Sequence, residues 1–303
     1  MAKRNDKKIK YILMAIILVV IIVSGVAVGG DPFYFLTESD DNTLPDSSFS
    51  VHFIDVGQGD CTLIKSDEGN MLIDAGENGN ESDVINYLNE QGIDTLTYLV
   101  ATHPHSDHIG GVQEVVNAFN VENVIMPRLS EINTPTSQTY ENMLNAIKNS
   151  GAKVIAAKPG NDYFFGDVSF KILSPFEQDE NLNNMSVSLK LSYGTHTFMF
   201  SGDAESEVEE QMLKKGFDLS ADVYKAAHHG STTSNTKKFV EAINPDYAVI
   251  SCSSDNKYGH PHDEIIELFD KLGIDYFITY NSGNVVFSVV GDELVVSEQS
   301  NQY

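Results

Sequence analysis

The period of the hydrophobic positions changes several times along the chain, and each change predicts an element. Tyr11 to Val28 is almost wholly apolar, broken only by Ser24 and Gly25, and follows a head bearing Lys3, Arg4, Lys7, Lys8 and Lys10. That run is long enough for a membrane span and also fits a signal-peptide core. Residues 31–48 are acidic, aperiodic and carry Pro and Ser, which predicts a linker. From Phe49 the pattern becomes that of an α/β domain extending to residue 303. Phe49–Asp55 and Cys61–Lys65 read as strands joined by the turn Gly57-Gln58-Gly59-Asp60, and Asn70–Asp74 reads as a third. Val84, Ile85 and Leu88 share one face of a helix over Ser82–Gln91, which Gly92 stops. After a short strand at Thr97–Ala101, one helix is predicted through Ile109, Val112, Val115, Val116 and Phe119.

The middle predicts strands at Asn123–Met126, Lys153–Ala156, Ser169–Leu173, Val187–Tyr193 and Thr197–Ser201, with a helix over Gln138–Asn149. The last third alternates helix and strand: Ser206–Lys215, Asp222–Ala227, Thr236–Ile243, Tyr247–Ser251, Asp263–Leu272 and Asp275–Thr279. A hairpin of Val285–Val289 and Glu293–Ser297 closes the domain. Two sheets packed face to face with helices outside fit this alternation.

Chemistry concentrates between the strand Thr97–Ala101 and the helix after it, in His103-Pro104-His105-Ser106-Asp107-His108. Imidazole and carboxylate are the ligands of borderline divalent metals such as zinc. Alternation in an extended segment lets His103 and His105 grip one ion together, leaving Asp107 and His108 for a second. Paired ions activate a water and clamp the substrate in two-metal hydrolases. Further ligands are offered at strand ends. Asp203 follows Phe198-Met199-Phe200 and is placed to bridge both ions. His228 and His229 close a strand, and at least one is expected to be a ligand; regular alternation puts them on opposite faces. His260 supplies the remaining imidazole of the second ion. Asp74 is expected to accept the outer N–H of a ligand imidazole. Lys225, between apolar strand residues, is expected to face the site and balance a phosphate. Asn184, Ser231, Thr232 and Tyr258 are candidate donors to substrate oxygens.

Charge narrows the substrate. Lys plus Arg number 19 against 44 Asp plus Glu, a net −25. Setting aside the basic head and Asp6 leaves 14 bases and 43 acids, −29 on the part that follows. Such a surface repels polyanions and lacks the basic stripe a long nucleic-acid track needs. The basic head predicts a cytoplasmic N-terminus with the domain outside, anchored in the membrane or secreted after cleavage. Cys61 and Cys252 make no disulfide framework and have no metal spacing. Nothing in the sequence points to a protein partner.

With His103-x-His105-x-Asp107-His108, Leu72-Ile73-Asp74-Ala75-Gly76 and Ser201-Gly202-Asp203 in this order, the chain resembles metallo-β-lactamase-fold hydrolases from about Phe49 onward. Phe53 to Asp60, Asp107-His108-Ile109-Gly110-Gly111, Lys225 through Ser231, and Tyr258-Gly259-His260-Pro261 resemble the extracellular hydrolase domain of ComEC-type competence proteins. The resemblance implies an αββα sandwich with a dinuclear site at one edge, two divalent ions (zinc first, manganese second), and a link to phosphodiester hydrolysis, with DNA a candidate substrate that the acidic surface disfavours. It places Asn183-Asn184-Met185-Ser186 where many relatives carry a ligand His, so a third ligand for the first ion falls to His228 or His229. The second ion then takes Asp107, His108 and His260, with Asp203 shared. Asp107 is expected to carry a proton in turnover, beside Asp203 and Lys225 as catalytic groups. Rival readings are hydrolysis of a β-lactam, lactone or thioester on the same site, and a non-catalytic membrane-tethered scaffold.

Overall fold

A computed structural model describes residues 47–299. The expected N-terminal membrane or signal segment and nearly all of the linker lie outside the described residues. No helix among the described residues is long and apolar enough to cross a membrane.

Strands β1 (Phe49–Phe53), β2 (Thr62–Ser66) and β3 (Gly69–Ile73) run antiparallel. β4 (Thr95–Val100), β5 (Asn120–Met126) and β6 (Lys153–Ala156) add on in parallel. In the second sheet β7 (Asp162–Phe165), β8 (Val168–Ile172), β9 (Leu189–Tyr193) and β10 (His196–Phe200) are antiparallel. β11 (Val223–Lys225), β12 (Tyr247–Ile250) and β13 (Asp275–Ile278) extend it in parallel. The closing hairpin, β14 (Asn284–Val290) and β15 (Glu293–Gln299), returns to the first sheet and pairs β14 with β1. The spatial orders are β15-β14-β1-β2-β3-β4-β5-β6 and β13-β12-β11-β10-β9-β8-β7.

Three apolar layers hold this together. Alternate residues such as Val51, Phe53, Phe198, Phe200 and Phe287 fill the space between the sheets. Helices α1 (Glu81–Glu90), α3 (Val112–Ala118) and α4 (Gln138–Ser150) bury one face against the first sheet. Helices α5 (Ser206–Lys215), α6 (Lys237–Ile243) and α7 (Asp263–Leu272) do so against the second. The result is the four-layer αββα sandwich. Cys61 and Cys252 sit unpaired and buried in the two outer layers.

Two local expectations change. The helix predicted through Ile109 is two pieces, α2 (Ser106–Ile109) and α3, because the backbone turns out of the helix at Gly111, whose ψ is −2°. The short strand β7 was not predicted; its exposed Phe164 breaks the alternation of a half-buried strand.

His52 is buried between Ser50 Oγ (2.7 Å) and Tyr87 Oη (2.8 Å). Burial, with Lys65 adding to it, lowers its pKa to about 3. The unfolded chain takes up this proton below about 6.5 and the folded chain does not, so stability falls as pH drops from there toward about 3. This one residue costs about 2–3 kcal/mol by pH 4.5. Urea unfolding at pH 7.5 and 4.5 is expected to show a smaller acid loss in His52→Gln than in wild type; equal losses would contradict this assignment.

Candidate metal centre

Functional side chains gather where parallel strands end. Asp74 follows β3, the His103–His108 loop follows β4, Asp203 follows β10, and His228 and His229 follow β11. Carboxyl ends of parallel strands are the usual location for such sites in α/β folds, because the loops there are free to vary.

The turn Gly57–Asp60 is the floor support of the His loop. Gly59 has φ +149° and lies so close to the Asp107 carbonyl that a Cβ would collide with it. Asp60 N–H donates to Asp107 O at 3.1 Å, and Gly76 N–H donates to Asp60 O at 2.9 Å. This glycine signal was visible in the sequence, but its target was not.

Asp74 orders two imidazoles at once. Its Oδ2 accepts His108 Nδ1–H at 2.8 Å and the Thr102 hydroxyl at 2.6 Å, while Oδ1 accepts Thr102 N–H at 2.8 Å. Thr102 Oγ1 donates its only hydrogen to Asp74, so it accepts His103 Nδ1–H at 3.2 Å. Both rings therefore present Nε2 lone pairs inward. His229 is fixed likewise, its Nδ1–H donating to Ser251 O at 2.9 Å. Outer partners of this kind set the tautomer of ligand imidazoles.

Those inward atoms converge on Asp203, whose residue is 2% exposed. Asp203 Oδ2 lies 3.6 Å from His103 Nε2 and 3.7 Å from His228 Nε2. Asp203 Oδ1 lies 3.2 Å from His108 Nε2 and 3.8 Å from His229 Nε2. Asp107 Oδ2 lies 3.2 Å from His229 Nε2, and His105 Nδ1 lies 3.0 Å from His103 Nε2. One set of atoms close enough to share an ion is Asp107, His108, Asp203 and His229; another is His103, His105 and Asp203. His108 Nε2 and Asp203 Oδ1 are buried and close, yet neither has a hydrogen bond. Two ligand atoms that face a common point without bonding each other fit a cation between them, since buried polar atoms otherwise find partners.

The electrostatics agree. Burial pushes the His108 imidazole down, but Asp203 and Asp74 together raise it well above its ordinary value. Burial likewise opposes His229, but Asp203, Asp60 and Asp107 lift it to about 10. Burial pushes Asp203 up, and the surrounding imidazoles pull it well below the carboxylate range. His103 differs: burial and His108 hold it well below its usual value, against Asp203. The carboxylates thus create a field that favours positive charge at their centre.

The two adjacent histidines divide between the groups. β11 stops at Lys225, and His228 and His229 are both left-handed, with φ of 49° and 54°. Strand alternation does not apply to them. His228 faces the Asp203 oxygen that His103 faces, and His229 joins Asp107 and His108. The position expected for His260 in the second group is therefore held by His229. His260 belongs to neither set of atoms; it lines the cleft above them, its ring 5.4 Å from that of His228.

The cleft is about 270 Å³, and Gln58, His105, Asp107, Asn183, Tyr258 and His260 contribute to its walls. Tyr258, a candidate donor to substrate oxygens, is among these wall residues. Lys225 is not: it is 3% exposed, its Nζ pairs with Asp60 at 2.8 Å, and Asp60 in turn lies 3.3 Å from His229 Nδ1. It supports the site from below and cannot meet a phosphate. Asn184 is turned inward, donating to Asp179 and accepting Glu205 N–H, while its neighbour Asn183 faces the cleft. Ser231 is buried against Thr233, and Thr232 pairs with His262, both outside the cleft walls. Gln58 and Asn183 were missed: neither residue type in a loop carries a distinguishing signal.

The profile of the Metallo-beta-lactamase superfamily matches residues 54–254. The chain is 28% identical over 260 residues to ComE operon protein 3 of Bacillus subtilis, covering 80% of this chain and 33% of that protein. It is 29% identical over 250 residues to Competence protein ComA of Neisseria gonorrhoeae, covering 81% of this chain and 33% of that protein. The chain thus spans about a third of the length of these curated relatives. In fold it is similar to the metallo-beta-lactamase fold protein YhfI from Bacillus subtilis, with TM-score 0.51, 14% identity, and coverage of 76% of this chain and 96% of that one. A profile match over that length, on strand ends that converge in this way, makes the chain a hydrolase of the metallo-beta-lactamase superfamily.

Proposed function

We propose that the chain is a metal-dependent phosphodiesterase, nuclease-like in its chemistry, whose domain works outside the cytoplasmic membrane. The observation that carries the reading is Asp203, set between two groups of His and Asp at the base of an open cleft. His103, His105 and His228 would hold one divalent ion and Asp107, His108 and His229 a second, with Asp203 between them. The chemistry such a pair supplies is acidification of a water and polarisation of the scissile ester. Zinc suits this mixture of imidazole and carboxylate, with manganese as the alternative.

The chain's own residues do the rest. Asp107, with 24% of its side chain exposed against 2% for Asp203, is the more accessible of the two carboxylates lining the cleft and can accept a proton there. Gln58 lines the same cleft, its Oε1 accepting Ser253 N–H at 3.3 Å. Tyr258 and Asn183 flank the same space. Similarity to proteins named for competence and for recombination supports a nucleic-acid ester. The net −25 favours a short ester or a strand end over a long duplex lying across the surface.

Hydrolysis of bis(p-nitrophenyl) phosphate and of a chromogenic β-lactam, with zinc, manganese or chelator, separates the readings. The expected result is metal-dependent phosphodiester turnover that chelator abolishes. Rapid β-lactam turnover without phosphodiester hydrolysis would overturn the assignment, and metal-free protein inert on every ester would favour a scaffold.

A further inference from the structure

His228, His229 and Gly230 are three consecutive left-handed residues, with φ of 49°, 54° and 80°. A non-glycine residue is sterically disfavoured in that region, so such a pair persists only where its surroundings enforce it. Asn235, which is 1% exposed, bonds to the residues on both sides of the segment. Its Oδ1 accepts Ala227 N–H at 3.0 Å and the Tyr224 hydroxyl at 2.8 Å. Its Nδ2 donates to Ala227 O at 2.9 Å and to Ser231 O at 3.0 Å. One carboxamide thus uses its whole hydrogen-bonding capacity, and three of its four bonds clasp the residues on either side of the left-handed segment.

Asn235 is itself held. Its N–H and that of Thr236 donate to the two carboxylate oxygens of Glu209 on α5, at 2.6 and 2.9 Å. Glu209 is fully buried. Capping of α6 accounts for the Thr236 bond, but the Asn235 side chain reaches backward, away from α6, to the histidine segment.

We propose that Asn235, seated on Glu209, is the positioning residue that presets His228 and His229 for metal binding. The inference rests on the reading of those histidines as ligands. Without the clasp the pair relaxes toward ordinary backbone angles, and the two rings no longer face Asp203 together. Aspartate cannot replace Asn235, because a carboxylate oxygen would then oppose two carbonyls.

The test is zinc affinity of the purified full-length chain, measured by competition with a chromogenic chelator, together with unfolding midpoints with and without zinc. Asn235→Ala is expected to weaken zinc binding about ten- to a hundredfold and to shrink the rise in midpoint that zinc produces. Glu209→Gln, the milder change, is expected to act in the same direction and decides the matter if Asn235→Ala does not fold. Wild-type zinc affinity in the folded variant, with both midpoints lowered equally, would overturn the proposal and leave Asn235 a structural residue. His229→Ala is the control. Undiminished zinc affinity in that variant would instead remove the ligand reading on which the proposal stands.

Discussion

Asp203→Asn is expected to lower turnover about a thousandfold, roughly 4 kcal/mol of transition-state stabilisation, and to strip at least one metal from the protein. The carboxylate faces His103 and His228 with one oxygen and His108 and His229 with the other. The amide keeps the shape but halves the acceptors and removes the charge that draws cations in. Asp203 N–H donates to Ser186 Oγ at 3.0 Å, and this bond survives the substitution, so the loop stays in place. Metal content by mass spectrometry, beside turnover and circular dichroism, reads the outcome. Two metals per chain and near wild-type turnover in a folded variant would remove Asp203 from the centre of the site.

Lys225→Met is expected to cost about 3–5 kcal/mol of stability, an unfolding midpoint lower by about 10 °C, with KM little changed in the protein that remains folded. The ammonium is buried against Asp60, and its loss leaves a buried carboxylate beside His229 without its main counter-charge. Removing both charges relieves that penalty. The double variant Lys225→Met with Asp60→Asn is therefore expected to recover most of the loss. A Lys225 that met substrate would behave otherwise: KM would rise, stability would hold, and Asp60→Asn would rescue nothing.

The two variants also mark how far the sequence could be read. The candidate ligands were legible because His and Asp were dense in one loop and recurred at strand ends, and strand ends follow from hydrophobic period alone. Asp74 was expected to accept the outer N–H of a ligand imidazole, and the structure puts its carboxylate 2.8 Å from His108 Nδ1. Lys225 was misplaced because a lysine among apolar residues has two solutions, a polar site or a buried partner. The partner, Asp60, lies on a turn far away in sequence. His228 and His229 could not be separated because alternation holds only while a strand lasts, and β11 ends three residues before His228. Asn184 and Asn183 differ by one residue on a tight turn, where sequence carries no register. The helix breaks at Gly111, where ψ is −2°, a local departure that the apolar spacing on either side does not encode.

The most direct measurement is anomalous diffraction from crystals of the purified chain grown with zinc. Two peaks are expected about 3.5–4 Å apart on either side of the Asp203 carboxylate, one within reach of His103, His105 and His228, the other of Asp107, His108 and His229. A single peak, a pair in which His260 replaces His229, or no density at Asp203 would contradict the account.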